Sequence, residues 1–293
     1  MSPHSAIVAP GDPAYPRRLA EARAALSLDV RGALRERPQS VAIVGARAAT
    51  AEAVDRARQI AYALAAADVA IISGGALGID AAAHRGALDA YREHGAGTTV
   101  AVLGCGVDVV YPPRHRDLFA ELPTTGGALV SQFPRQAPPR RPHFVQRNRT
   151  IAALADLVLV VEAQASSGSL YTARAALDLG RALAAIPGSP GCQRLLAAGA
   201  HPVTSADEVR SVLDGACPAP QIPMPDPQSS AAQVLAVLHQ SESRDTRELA
   251  EQSGLSVREV ARALTGLELD GLAVPMPGQC YVRSALANQL LVS

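Results

Sequence analysis

Lysine and tryptophan are both missing from this chain of 293 residues, so its 27 basic side chains other than histidine are all arginines. A coding bias toward arginine is the simpler account, although the planar guanidinium also suits phosphate forks and ring stacking better than an ammonium group does. Aromatic residues make up only 3%, which confines any surface built on base stacking to a few positions. The four cysteines, Cys105, Cys192, Cys217 and Cys280, form no CxxC pair. That spacing argues against a zinc knuckle and reads as buried thiols in a reducing compartment. The seven histidines make no HExxH-type ligand pair, so neither a metal nor a cofactor is expected. No apolar run approaches the roughly 20 residues of a membrane-spanning helix, and residues 1–16 lack the basic start and apolar stretch of a signal peptide. These absences predict a cytoplasmic protein without a membrane segment.

What is present supports a sizeable core, with 48% of residues hydrophobic and a formal net charge of zero. The charge is unevenly spread. Between Leu122 and Ala155 there is no acidic residue, whereas Arg135, Arg140, Arg141, Arg147 and Arg149 fall there and Arg114 and Arg116 lie just upstream. A local basic stripe of this kind is the footprint of phosphate contacts.

Apolar runs alternate with helical patterns from Val41 onward: strands at Val41–Val44, Val69–Ser73, Thr99–Leu103, Ala128–Ser131, Leu157–Val161 and Leu183–Ile186. Helices are expected near residues 50–66, 78–90, 146–155 and 169–181. Short, nearly all-apolar strands between amphipathic helices predict an α/β fold, a doubly wound and mostly parallel sheet covered on both faces. Residues 1–40 read as a lead-in, 41–213 as the α/β domain, and 214–229, with Pro218, Pro220, Pro223, Pro225 and Pro227, as a linker. Residues 230–293 fit three helices and a small hairpin, the winged-helix pattern. That module has seven acids against five arginines, which favours a protein-contact or regulatory role over duplex reading.

Four glycine-bearing turns each follow a strand: Gly45-Ala46-Arg47, the run from Ser73 to Gly78, Gly104-Cys105-Gly106, and Ser166-Ser167-Gly168-Ser169. Strand carboxyl ends and helix N-termini offer unpaired N–H groups to anions, so converging turns predict a phosphate-sized cradle. None is a GxGxxG or GxxxxGK[ST] motif, which leaves a nucleotide site without support. Asp80 and His84 share a helix face, but no nucleophile accompanies them. A structural role for both, and for Glu162 at a strand end, is expected.

In order along residues 15–206, these segments resemble the motifs of the DprA/Smf family. Val41 to Arg47 is similar to its VGSR-type segment, with Ala46 where serine is usual. Ser73 to His84 is similar to SGGAxGIDxxAH, Gly104 to Pro112 to GxGxDxxYP, Gln146 to Leu154 to RNRxIxxL, and Ser167 to Arg174 to SGSLxTA, with Ile186-Pro187-Gly188 as the later PG. The resemblance implies a Rossmann-like, dimerising, non-enzymatic protein that binds single-stranded DNA and loads the RecA recombinase during recombination or natural transformation. It places Arg47 on a DNA phosphate, beside Gly45, Gly74, Gly75, Gly78, Ser167, Gly168, Ser169 and Thr172. Arg147 and Arg149 flank Asn148 and serve either phosphate or an ion pair with a carboxylate such as Asp80. Arg114 and Arg116 are candidates for phosphate contacts and Phe119 for stacking on a base, although His115 stands where the family has asparagine. The loop after Gly188 is shortened, and Ala25-Leu26-Ser27-Leu28 stands where the family usually has a PxxL segment. Two alternatives stay open: a LOG-like nucleotide phosphoribohydrolase, whose glutamate position would fall on Ala175, and a transcription factor resting on the winged-helix module alone.

Overall fold

Val41, Ala42, Ile43 and Leu157 through Val160 are all fully enclosed, as strands covered on both faces must be. The computed structural model describes residues 5–22, 26–165, 167–215, 225–239, 242–270, 272–276, 280–283 and 287. Cys217, Ser166, Gln279 and the linker prolines Pro218, Pro220 and Pro223 lie outside the described residues. Among the described thiols, Cys105 and Cys192 are buried and Cys280 is half-buried.

In chain order the elements are β1 (Ser5–Val8), α1 (Arg17–Glu21), β2 (Leu28–Gly32), β3 (Ser40–Val44), α2 (Ala51–Ala66), β4 (Ala70–Ser73), α3 (Ile79–His94), β5 (Thr99–Val102), α4 (Arg116–Glu121), β6 (Ala128–Ser131), α5 (Arg141–Ala153), β7 (Leu157–Val160), α6 (Ser169–Asp178), β8 (Ala182–Ala185), α7 (Pro190–Ala197), β9 (His201–Pro202) and α8 (Ala206–Leu213). They are followed by α9 (Ser230–Val237), β10 (Arg244–Asp245), α10 (Thr246–Ser253), α11 (Val257–Leu269), β11 (Ala273–Met276) and β12 (Cys280–Arg283). The chain divides into two compact units, Met1–Gln193 with His201–Ala219, and Arg194–Ala200 with Pro220–Ser293.

The first unit is an α/β fold around a nine-stranded sheet of order β1-β2-β6-β5-β4-β3-β7-β8-β9. Strands β3 to β9 pair in parallel, whereas β2 joins β6, and β1 joins β2, antiparallel. From β3 the chain winds one way through β4, β5 and β6, then returns to the other side of β3 with β7 and continues outward. The reversal between β3 and β7 is the point where open α/β sheets take their ligands. One face of the sheet is closed by α2 and α3, with Ile60, Leu64, Ile79 and Ala83 packed on Val41, Ile71 and Leu159. The same face continues across β5 and β6, where Ala101, Leu103 and Leu129 pack with Leu118, Phe119 and Leu122.

Parts of the fold differ from the sequence expectation. The first forty residues add β1 and β2 to the sheet edge; Asp29 and Arg31 inside β2 broke the apolar pattern that marks a buried strand. Helix α5 begins at Arg141, five residues before the expected Gln146, because Pro142 sits in its first turn, where a missing N–H costs nothing.

The second unit is a winged-helix domain. Helices α9, α10 and α11 enclose Val234, Leu249, Val260, Leu264 and Leu267, and β10, β12 and β11 form a small antiparallel sheet. Asp245 with Glu248 and Ser256 with Glu259 close capping boxes at α10 and α11.

Arg18 ties the N-terminal segment to the sheet. Its guanidinium is almost fully buried and forks onto Asp156 through Nε and Nη2, both at 2.7 Å, while Asp156 also accepts from the Ser40 amide at 2.8 Å. Replacing Arg18 by alanine leaves the carboxylate without its partner and should lower the unfolding free energy by about 3 kcal/mol, read as a lower urea midpoint. Arg18→Lys should recover only part of the loss, because an ammonium cannot fork; an unchanged midpoint in Arg18→Ala would refute this anchoring role.

Candidate nucleic-acid interface

At the β3/β7 reversal the turns after β3, β4 and β7 surround a cleft of about 990 Å³. Its walls include Gly45 and Arg47 after β3, Ala76 and Asp80 after β4, Tyr111, Arg141, Phe144 and Asn148, and the α6 turn from Ser167 to Thr172. A smaller recess of about 60 Å³ adjoins it, bordered by Gly74, Gly75, Leu77, Gly104 and Pro112.

The turns are held by groups that face inward. Glu162 is buried and accepts from the Thr50 amide at 3.2 Å and from its hydroxyl at 2.6 Å; its carbonyl takes the Ala46 amide at 2.8 Å. It therefore fixes both the β3 turn and the start of α2. Asp80 is also buried and accepts from the Gly74 and Ala76 amides at 3.1 and 3.3 Å. Burial pushes its carboxyl up, against the opposing pull of Arg147. Gly78 adopts φ +76°, and an added Cβ would stand 2.7 Å from the Arg47 carbonyl oxygen, so the turns after β3 and β4 meet there only because no side chain intervenes.

Arg147 answers the question the sequence left open. Its guanidinium is buried and donates through Nη1 to the Gly74 and Val102 carbonyls, at the ends of β4 and β5. Burial brings it down to about 10, with Asp80 pulling the other way. It anchors the floor of the cleft through Nη1, while its buried Nε has no hydrogen-bond partner among the described residues. The three residues of the Arg147-Asn148-Arg149 run diverge because successive helix positions are about 100° apart. Asn148 donates to the Gly168 carbonyl at 3.2 Å and so braces the α6 turn. Arg149 is exposed and lines a neighbouring depression with Leu26, Gln132 and Gln146; the structure does not bring it into the cleft.

Phe119 departs from its expected role as a stacking platform. It is buried in the core, edge-on to His115 at 5.8 Å, and its ring underlies Gly75, where φ is +67°. His115 itself is buried and its Nδ1 lies 2.9 Å from the Gly75 carbonyl oxygen. Arg114 and Arg116, on either side, are exposed.

The aromatic surface comes instead from residues that the sequence reading passed over. Tyr111 and Phe144 stand 5.7 Å apart, and the Arg47 guanidinium lies 5.5 Å from the Phe144 ring centre. The signal was available, since Phe144 precedes Arg147 by one helical turn and so shares its face. Arg47, Arg114, Arg116, Arg140, Arg141 and Arg149 are all exposed and have no ion pair among the described residues. Most arginines elsewhere are neutralised, as in Arg58 with Asp89, Arg92 with Glu121 and Arg135 with Asp29. Unpaired guanidiniums beside rings and helix N-termini form a surface suited to phosphates and bases. Among the described residues no group of His, Cys, Asp and Glu could hold a metal ion, and no helix is long and apolar enough to cross a membrane.

A family model described as DNA recombination-mediator protein A matches residues 6–214, and one described as DprA winged helix domain matches 218–279. The chain is 39% identical over 264 residues to a putative DNA processing protein DprA of Mycobacterium tuberculosis, the match covering 86% of this chain and 66% of that protein. It is 40% identical over 257 residues to Protein Smf of Escherichia coli, covering 83% and 67% respectively. The chain thus spans about two thirds of the length of these relatives. Among solved structures it is similar to DNA processing protein A of Streptococcus pneumoniae, at 35% identity and TM-score 0.64, over 70% of this chain and 73% of that one. It is also similar to DNA processing protein A of Helicobacter pylori, described for its single-stranded DNA binding mode, at 26% identity and TM-score 0.63, over 74% and 99%.

His84, fully buried beneath the site with Nδ1 2.7 Å from the Thr99 hydroxyl, generates a pH dependence. Burial first, then His115 and Arg147, lower it from 6.5 to about 3. The unfolded chain therefore binds more protons than the folded one across that window, so the stabilisation is complete above pH 6.5 and is lost progressively as the pH falls toward 3. At pH 5 this residue alone should remove about 2 kcal/mol. Urea unfolding at pH 7.5 and at pH 5 measures the loss, and His84→Gln should flatten it; an equally steep dependence in the variant would locate the effect elsewhere.

Proposed function

Because the chain belongs to the DprA/Smf family of DNA-processing proteins, we propose that it binds single-stranded DNA in the cleft at the β3/β7 reversal and delivers the strand to the RecA recombinase. The observation that carries this reading is the set of exposed, unpaired arginines around an aromatic-lined cleft in a chain whose net charge is zero. Duplex DNA hides its base faces, whereas a single strand offers both phosphates and faces to such a surface. Arg47 and Arg141 meet phosphates, the N-terminal turn of α6 offers the Gly168 and Ser169 amides and the Ser167 hydroxyl, and Tyr111 and Phe144 take a base. Gly45, Gly74, Gly75, Gly78 and Thr172 let the strand approach the backbone, while Arg114, Arg116 and Arg149 extend the basic surface beyond the cleft. Asp80, His84, Glu162, Arg147 and Asn148 position these elements.

On this reading the protein is a binder and not an enzyme. Its two carboxylates nearest the cleft, Asp80 and Glu162, are committed to backbone amides and a hydroxyl, which leaves neither to activate water. We assign strand binding to residues 41–213, in a homodimer acting in the cytoplasm, during recombination or natural transformation. The winged-helix domain of residues 230–293 we read as a protein-contact or regulatory module.

Fluorescence anisotropy with a labelled single strand, duplex competitor and a salt titration tests the binding step. We expect salt-sensitive preference for the single strand. Arg47→Ala should weaken it about tenfold and reduce the slope of log K against log salt by about 0.7, whereas Arg92→Ala, removing an arginine already paired with Asp89 and Glu121, should change neither. Equal affinity for duplex, or an unaltered slope in folded Arg47→Ala, would overturn the assignment. RecA filament growth on a strand coated with single-strand-binding protein, with and without this protein, tests the delivery step; no acceleration would remove RecA as partner.

A further inference from the structure

Helix α6 buries Ser169, Thr172, Ala173, Ala175 and Ala176 against the fold. Tyr171 lies off that face and is 60% exposed. Its side chain forms no hydrogen bond, ring contact or ion pair with any described residue, so the fold makes no use of its ring. A polar residue would serve the first turn of a helix equally well there. Yet this ring lines the same cleft as Tyr111 and Phe144, in a chain with only 3% aromatics. Tyr111, 40% exposed, and Phe144 are carried by the segment after β5 and by α5, whereas Tyr171 is carried by α6, next to Gly168. The cleft therefore holds two aromatic surfaces on separate elements, with the unpaired guanidiniums of Arg47 and Arg141 in the same wall.

We propose that Tyr171 is a second stacking platform, which takes the face of one nucleobase of the bound strand while Tyr111 and Phe144 take another. The inference rests on the single-strand reading of the cleft. It assigns the ring, and not the hydroxyl, as the contacting group, because every base has a π-face and stacking requires no particular sequence. Two platforms hold two bases of one strand apart from each other, and a paired duplex cannot offer two splayed faces.

The test is a cycle between the side chain and the base. Wild type, Tyr171→Phe and Tyr171→Ala are titrated with an oligothymidine strand and with an abasic strand of the same phosphate count, and light scattering follows their molar mass. Tyr171→Ala is expected to weaken oligothymidine binding about tenfold and to leave abasic binding unchanged, while Tyr171→Phe keeps wild-type affinity for both. Equal losses on the two strands, or loss in Tyr171→Phe as well, would overturn the inference; equal losses with a changed molar mass would place the ring in an interface between copies. If Tyr171→Ala binds oligothymidine as wild type does, the platform is refuted and the strand-binding reading stands. If wild type itself fails to bind oligothymidine, that reading falls and this inference with it.

Discussion

A guanidinium taken out of water costs several kcal/mol unless the chain supplies acceptors in its place, and the floor of the cleft is organised around that demand at Arg147. Its acceptors are carbonyls at the ends of two adjacent strands, Gly74 after β4 and Val102 at the end of β5. Gly74 is hemmed in from both sides: a Cβ there would stand 2.6 Å from the Arg147 Cζ and 2.7 Å from an Asp80 carboxylate oxygen. The carboxylate in turn holds the amides of Gly74 and Ala76. One buried cation and one buried anion thus fix the turn between β4 and α3 without touching each other directly, and α5 is pinned to the sheet by the same bond.

The position of α5 then determines what surrounds the cleft. One turn before Arg147, Phe144 is set within reach of Arg47 and Tyr111; one residue after it, Asn148 meets the α6 turn at Gly168. Glu162 does for the β3 side what Asp80 does for the β4 side, by gathering Thr50 and the Ala46 amide. The cleft is accordingly rigid at its base, where hydrogen bonds hold Asp80 and Glu162, and chemically unspent at its rim, where Arg47 and Arg141 have no ion pair and the Tyr171 side chain no contact partner among the described residues. That separation suits a binding surface whose ligand must supply the missing negative charge.

With no lysine available, arginine has to fill three physically different roles here. Arg18 and Arg147 are internal struts, Arg58 and Arg92 belong to surface ion pairs, and Arg47, Arg114, Arg116, Arg140, Arg141 and Arg149 remain free. The basic stripe between Leu122 and Ala155 contained members of all three kinds: Arg147 is a strut, Arg135 pairs with Asp29, and Arg140, Arg141 and Arg149 are free. Composition locates such a stripe but does not sort it, because the partner of each guanidinium is distant in the chain.

Periodicity was enough for the parallel strands from β3 to β8, for α2, α3, α5 and α6 among the helices between them and for the winged-helix module, because strands buried on both faces and amphipathic helices write their burial directly into residue order. The glycine turns were legible for the same local reason, and the family motifs placed them at one site. What order along the chain does not carry is contact across it. That β2 pairs with β6 depends on the sheet having a free edge, which no local pattern records. That Phe119 lies under Gly75, and that Phe144 and Tyr171 face the cleft, depends on how α4, α5 and α6 dock. The sequence by itself determined which elements form and which turns can approach an anion; only the tertiary structure decided which arginines and rings are left unsatisfied there, because satisfaction is a property of neighbours that the chain brings together from far apart.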